Sequence, residues 1–142
     1  MLTNFIDALG RTGDDRAIEP LVQILREEQD SIDQTYAGNA LTKFGEAAID
    51  TLIEILKYEN AAGKQNAIIA LYDIGGDKAV DGILQALNDP DFKVRAKAVE
   101  CLGKTGDPRV AEPLKNALKD SSRFVQDYAR KALEKLNVKG DR

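Results

Sequence analysis

Apolar residues recur along this chain at helical spacing, and the whole pattern repeats about every 31 residues. Aligning the chain with itself brings Leu9, Leu41, Leu71, Leu102 and Leu133 into one column, at intervals of 32, 30, 31 and 31. Just before those leucines stand Ala8, Ala40, Ala70, Cys101 and Ala132, and four residues before the last four stand Ala37, Ala67, Ala98 and Ala129. Small side chains in these columns let two helices approach closely. Four residues after each leucine comes Gly13, Gly45, Gly75, Gly106 and finally Asn137. These residue types accept the left-handed backbone that closes a helix, so each marks a stop. Asp14, Glu46, Asp77 and Asp107 follow the stops, where an acid suits the positive end of the next helix and Asp can also cap it.

A second periodic run follows every stop: Ile18-Leu21-Leu25, Ile49-Leu52-Leu56, Val80-Ile83-Leu87 and Val110-Leu114-Leu118. Steps of three and four place each set on one helix face. Each repeat therefore predicts two antiparallel amphipathic helices. No stretch alternates with period two over a strand's length, so no sheet is expected. The pattern predicts about nine helices, near 2–11, 15–28, 31–43, 47–58, 61–74, 78–88, 92–104, 108–119 and 122–136. Pro108 suits a first helical turn, whereas Pro20 and Pro113 fall about two turns in and should bend or break their helices. One helix pair cannot bury its own apolar face, so the pairs must stack into a single α-solenoid domain spanning 1–142, about four and a half repeats long. Arg130 stands where earlier helices carry Val99 and Ile68, giving the last helix a polar outer face. The first helix has no partner before it.

Composition adds a soluble character, with 43% hydrophobic and 31% charged residues, and a net charge of −4. That charge is unevenly placed: residues 1–70 hold 6 basic and 12 acidic side chains, and residues 71–142 hold 14 and 12. A nucleic-acid binder would carry a basic footprint. Here only Lys93, Lys97, Lys104, Lys131 and Lys135 gather toward one side, against an acidic first half and no tryptophan, so nucleic acid is not the expected partner. No segment approaches the roughly 18 apolar residues of a membrane span, the start lacks a signal-peptide pattern, and one cysteine excludes an internal disulfide framework. Cytoplasm is the expected compartment.

The chain contains no histidine. That removes the commonest metal ligand and general base, and with it any Ser-His or Cys-His nucleophile. Phosphate-loop and dinucleotide glycine patterns are absent, and Gly75-Gly76 reads as a helix stop. Cys101 sits in the alanine column and reads as a small buried hydrophobe. The acidic groups Asp14-Asp15, Glu27-Glu28 and Asp89-Pro90-Asp91 read as caps and solvated charges. No catalysis, metal or cofactor is expected.

The segment Asp91–Leu114, DFKVRAKAVECLGKTGDPRVAEPL, closely resembles one unit of the short HEAT-like repeats, the type also called PBS-lyase HEAT-like repeats. Gly10–Leu25, GRTGDDRAIEPLVQIL, resembles the same consensus. The resemblance implies a right-handed superhelix in which the second helix of each pair lines a concave face. It also implies that the Arg95 position pairs with acids near the turns. Members are mostly scaffolds and adaptors, with a minority serving as bilin lyase subunits, as a di-iron hydroxylase or as DNA glycosylases. The di-iron case needs His-Glu motifs, which this chain lacks. The Val94-Arg95 pair of the consensus becomes Val125-Gln126, Gly63-Lys64 and Asp33-Gln34 in other units, so the helices at 31 and 61 are expected to start or pack less regularly.

Helical geometry then selects the outward positions of the inner helices. They are Ile32, Thr35, Tyr36, Asn39 and Lys43; Ala62, Gln65, Asn66, Ile69 and Asp73; Lys93, Ala96, Lys97, Glu100 and Lys104; and Phe124, Asp127, Tyr128, Lys131 and Lys135. Asn4, Asp7 and Arg11 extend the row. Tyr36, Phe124 and Tyr128 supply aromatic area, Ile32 and Ile69 are apolar in columns that should meet water, and the lysines add a positive rim. This face predicts a protein or peptide partner of some acidic character, bound without catalysis. The alternative is an accessory subunit of a lyase-like or modification complex, with a small chromophore or cofactor in the groove. Self-association through Leu2, Phe5, Ile6 and Leu9 of the first helix is a third expectation.

Overall fold

The computed structural model describes residues 3–26, 31–57 and 61–140, and every regular element among them is helical. In chain order these are α1 (Thr3–Thr12), α2 (Ile18–Arg26), α3 (Ser31–Thr42), α4 (Glu46–Ile55), α5 (Ala61–Ile74), α6 (Asp77–Gln85), α7 (Phe92–Thr105), α8 (Ala111–Ala117) and α9 (Arg123–Gly140). Helices α1, α3, α5, α7 and α9 pack consecutively on one another as an inner row, while α2, α4, α6 and α8 form the second layer. The result is an α-solenoid with one continuous core.

That core is the column pattern made solid. Leu41, Leu71 and Leu102 are fully buried, while Leu9 and Leu133 at the two ends are only partly covered. Ala37, Ala67, Ala98 and Ala129 have no exposed surface. A fully buried leucine contributes roughly 1.5–3 kcal/mol, so the mid-stack rungs hold the array together.

Helix boundaries follow from local chemistry. Gly106 closes α7 at φ 70°, a left-handed conformation that only glycine adopts without strain. Gly13, Gly45 and Gly75 also have positive φ. Asp14 and Asp107 accept hydrogen bonds from the N–H of Arg16 and Arg109, each at 2.9 Å, and so cap the turns that follow. Glu46 and Asp77 occupy the first turns of α4 and α6, where their charge complements the helix dipole.

Several expectations are corrected. Pro20 and Pro113 do not kink a continuous helix: a short 3-10 turn, 15–17 or 108–110, comes first, and each proline falls in the first turn of the α-helix that follows. There the missing N–H leaves no interior bond unmade. A 3-10 turn at 86–88 ends the sixth helical segment without a proline. Asn137 is not a stop, because α9 runs through it to Gly140. Asparagine tolerates the right-handed conformation as well, and Val138 and Lys139 continue the helix. The residues just before α3 and α5, 27–30 and 58–60, lie outside the described residues, so the expected irregular starts fall on an undescribed stretch. Ile6 is fully buried and Leu9 partly so, which leaves Phe5 as the exposed large apolar residue among those described in α1; Leu2 and Glu27-Glu28 lie outside the described residues.

Gly103 marks the tightest approach in the stack. A Cβ there would lie 2.6 Å from the Cβ of Ala132 on α9, well inside contact distance. Gly103→Ala should therefore lower stability by roughly 1–3 kcal/mol through overpacking, although alanine is the better helix former by about 1 kcal/mol. Thermal unfolding followed by circular dichroism checks this; an unchanged or raised midpoint contradicts the close α7–α9 packing.

Candidate functional site

Side chains with possible chemistry fall into two groups, those consumed by the joints between repeats and those left on the inner-row face. The joints account for most charged residues near the turns. Lys64 on α5 donates to Asp89 at 2.8 Å, and both side chains are buried, with 7% and 5% of their surface exposed. One repeat later Arg95 on α7 makes a bidentate pair with Asp120, at 2.9 and 3.0 Å, and also donates to the Asp89 and Pro90 carbonyls. Both pairs join residues 25 positions apart. Lys64 thus does the work of Arg95, and its divergence from the repeat consensus preserves the bond. In the same column Gln34 donates to the Leu25 carbonyl at 3.3 Å and Gln126 to the Asp120 carbonyl at 2.6 Å.

Arg95 is therefore a structural clamp with its guanidinium occupied. Of the remaining acids, Asp91 caps α7 by accepting from the Lys93 N–H at 2.8 Å, and Asp89 accepts from the Asp91 N–H at 2.9 Å. On the outer layer Lys78 reaches back to Asp50 at 3.2 Å and Arg109 to Asp81 at 2.9 Å, a repeated exposed rung worth little individually. Cys101 is buried, and that burial pushes its thiol up to about 11 against the opposing influence of Lys97 and Lys104. At neutral pH it is a protonated thiol, unsuited to nucleophilic work. With no histidine in the chain, and no cluster of three or more His, Cys, Asp or Glu among the described residues close enough to hold a metal, the side chains do not fit a di-iron centre.

The inner-row face is different. Ile32, Tyr36, Asn39, Lys43, Ile69, Asp73, Lys93, Lys104, Phe124, Tyr128, Lys131 and Lys135 are all exposed there, with Asn66, Lys97 and Glu100 half-buried. Ala96 departs from the expectation, because the approach of α9 covers it and turns it into a groove floor. The aromatic and lysine positions of α7 and α9 converge. Phe92 stacks on Phe124 with ring centroids 5.7 Å apart and planes 22° apart. Lys97 and Lys104 share the Glu100 carboxylate at 3.1 and 4.0 Å, and Lys131 lies 6.0 Å over the Tyr128 ring. Ile32 and Tyr36 lie on α3, with α5 between them and the aromatic cluster, whereas Ile69 is on α5 itself, next to α7.

Two contributors were missed by sequence reasoning. Phe92 stands at the start of the helix predicted over 92–104, and its signal is a phenylalanine in a column shared with Ala61 and Arg123. Tyr72, whose ring lies 5.8 Å below the Lys104 ammonium, gave no signal beyond a side chain larger than Gly103 in its column. Among the described residues no helix is long and apolar enough to cross a membrane.

Comparison with known proteins agrees with this architecture. A family model for HEAT repeats matches residues 49–137, and one for the PBS lyase HEAT-like repeat matches residues 3–27. The chain is similar in fold to a solved structure of human deoxyhypusine hydroxylase in complex with glycerol, with a TM-score of 0.69, 24% identity, and 85% of this chain aligned to 43% of that one. The chain thus spans under half the hydroxylase's length. It is also similar to an engineered protein, with a TM-score of 0.53, 22% identity, and 96% of this chain aligned to 73% of that one. No curated protein matches it in sequence.

Burial of Asp120 opposes its charge, but hydrogen bonds from Arg95 and from the Ser122 N–H outweigh that and hold its carboxyl below the usual range. Because the folded value is depressed, this stabilisation is complete above the unfolded carboxyl value of about 3.9 and disappears as pH falls through the folded one. Asp120→Asn should cost roughly 1.5–3 kcal/mol at neutral pH, the range for a hydrogen bond to a charged group. Urea titrations of both proteins should show that difference shrinking at acid pH; a gap that widens on acidification contradicts the assignment.

Proposed function

The chain belongs to the HEAT-repeat family, and from that premise we propose that it is a non-catalytic scaffold that binds a protein or peptide partner on its inner-row face, in the reducing cytoplasm. One observation carries the reading. Among the described residues, the large apolar side chains left exposed are Ile32, Tyr36, Ile69, Phe92, Phe124 and Tyr128 on the inner row, together with Phe5 on α1 and only Leu118 in the second layer. Solvated faces of a soluble protein have no reason to concentrate such residues on one layer, and contiguous exposed apolar surface marks interaction sites.

The chemistry of the remaining side chains supports the same reading. The charged groups nearest the turns are engaged in holding repeats together, and the thiol is buried and protonated. What remains accessible is aromatic area with a lysine rim, the composition of a recognition surface. Stacked repeats present it on a rigid array, so little ordering entropy opposes binding.

Immobilised full-length protein and a Tyr36→Ser, Lys97→Glu, Tyr128→Ser variant form the test pair. The three sites are exposed or half-buried, so the variant should keep its helicity and melting midpoint. A partner captured by the parent should bind the variant at least about tenfold more weakly, since interface aromatics dominate binding energy. Equal capture by both proteins removes this face from the function.

A further inference from the structure

The partner's chemistry can be read from the α7–α9 end of the inner row. A groove of about 330 Å³ opens there over the Ala96 floor, with Phe92, Phe124 and Tyr128 beside Lys93, Lys97 and Glu100 in its walls. Its volume admits one large side chain and little more. The stacked Phe92 and Phe124 rings cover one face of each other, yet 38% and 63% of these residues stay exposed. They form an open ledge.

Nothing in the repeat requires that ledge. The Phe124 column holds Ile32, Ala62 and Lys93 in earlier repeats, and the Phe92 column holds Ala61 and Arg123. The same helix packing is achieved with alanine at both places, so the phenylalanines are surplus to folding. Their contact joins α7 to α9, yet it leaves both rings largely open to water.

Lysines outnumber acids around the groove, where Glu100 is the one carboxylate among the lining residues. Among the described residues Lys93 has no acidic partner, and Lys97 and Lys104 divide a single carboxylate, Glu100. Lys131 and Lys135, beside Glu134, continue the positive rim along a second groove between α7 and α9. A partner seated here meets aromatic edges first and ammonium groups on either side.

We propose that this groove receives one aromatic side chain of an acidic peptide segment, the ring resting on the Phe92–Phe124 ledge and flanking carboxylates meeting Lys93 and Lys97. The assignment rests on the scaffold reading and names the partner class for it. A peptide fits better than single-stranded nucleic acid. Two phenylalanines already stacked on each other offer no slot for a base between them.

The test is fluorescence anisotropy with labelled synthetic peptides of one length: Asp/Ser-rich with a central Trp, the same with Ser for Trp, and Lys/Ser-rich with Trp, beside an oligothymidine. The acidic Trp peptide should bind the full chain, at least about tenfold more tightly than the Ser version. Phe124→Ser, at an exposed position, should abolish that preference while the variant keeps its helicity and cooperative unfolding, and Lys93→Glu should weaken binding and its salt dependence together. Equal binding with and without Trp overturns the inference. So does preference for the basic peptide or the oligonucleotide, or no binding of the acidic Trp peptide. If these peptides fail while the captured partner of the scaffold experiment still requires Tyr36, Lys97 and Tyr128, the inference falls and the scaffold reading stands.

Discussion

Close approach of successive inner helices is the constraint on which the rest of this structure depends. A single amphipathic helix pair has nowhere to bury its apolar face, so it gains stability only against the next pair. Alanines at 37, 67, 98 and 129, all without exposed surface, set the distance at which that happens. Gly103 against Ala132 shows how little room remains. With the backbones this close the leucine ladder becomes a continuous core, and the outward positions of the inner row fall into a fixed, rigid array.

Polar bonds at the turns then fix the register. Lys64 with Asp89 and Arg95 with Asp120 each tie an inner helix to the loop that follows the next helix of the second layer. Burying such charges costs desolvation energy, which the paired geometry and the carbonyl acceptors around Arg95 offset. Their value is in specifying one alignment of neighbouring repeats, which an alanine–leucine seam alone would define less sharply. The Gln residues at 34 and 126 fill the same column with neutral bonds to backbone carbonyls.

Much of this was legible in the sequence because the repeat writes each structural job several times. Leucine spacing gave the ladder, glycine the stops and aspartate the caps. What was not legible depends on context outside a column. Asn137 carries a stop residue type without the closing turn. The 3-10 turns before Pro20 and Pro113 arise because the backbone can shift its hydrogen bonding by one residue to accommodate the ring. Reading Lys64 as a defect overlooked that an ammonium reaches the same acid as a guanidinium. For the site, exposure of Tyr36, Phe124 and Tyr128 followed from helical phase, whereas the Phe92–Phe124 stack and the burial of Ala96 depend on the relative placement of two helices, which phase alone does not contain.

A chain held together only by neighbour-to-neighbour stacking must be firmest where every helix has neighbours on both sides. Native-state amide hydrogen exchange measures this directly, helix by helix. Protection should be greatest in α5 and α7 and decline through α3 and α9 to α1, whose Leu9 rung is only partly covered. Protection in α1 equal to or greater than that of α5 and α7 would contradict the stacking account and show that single helices hold their structure without their neighbours.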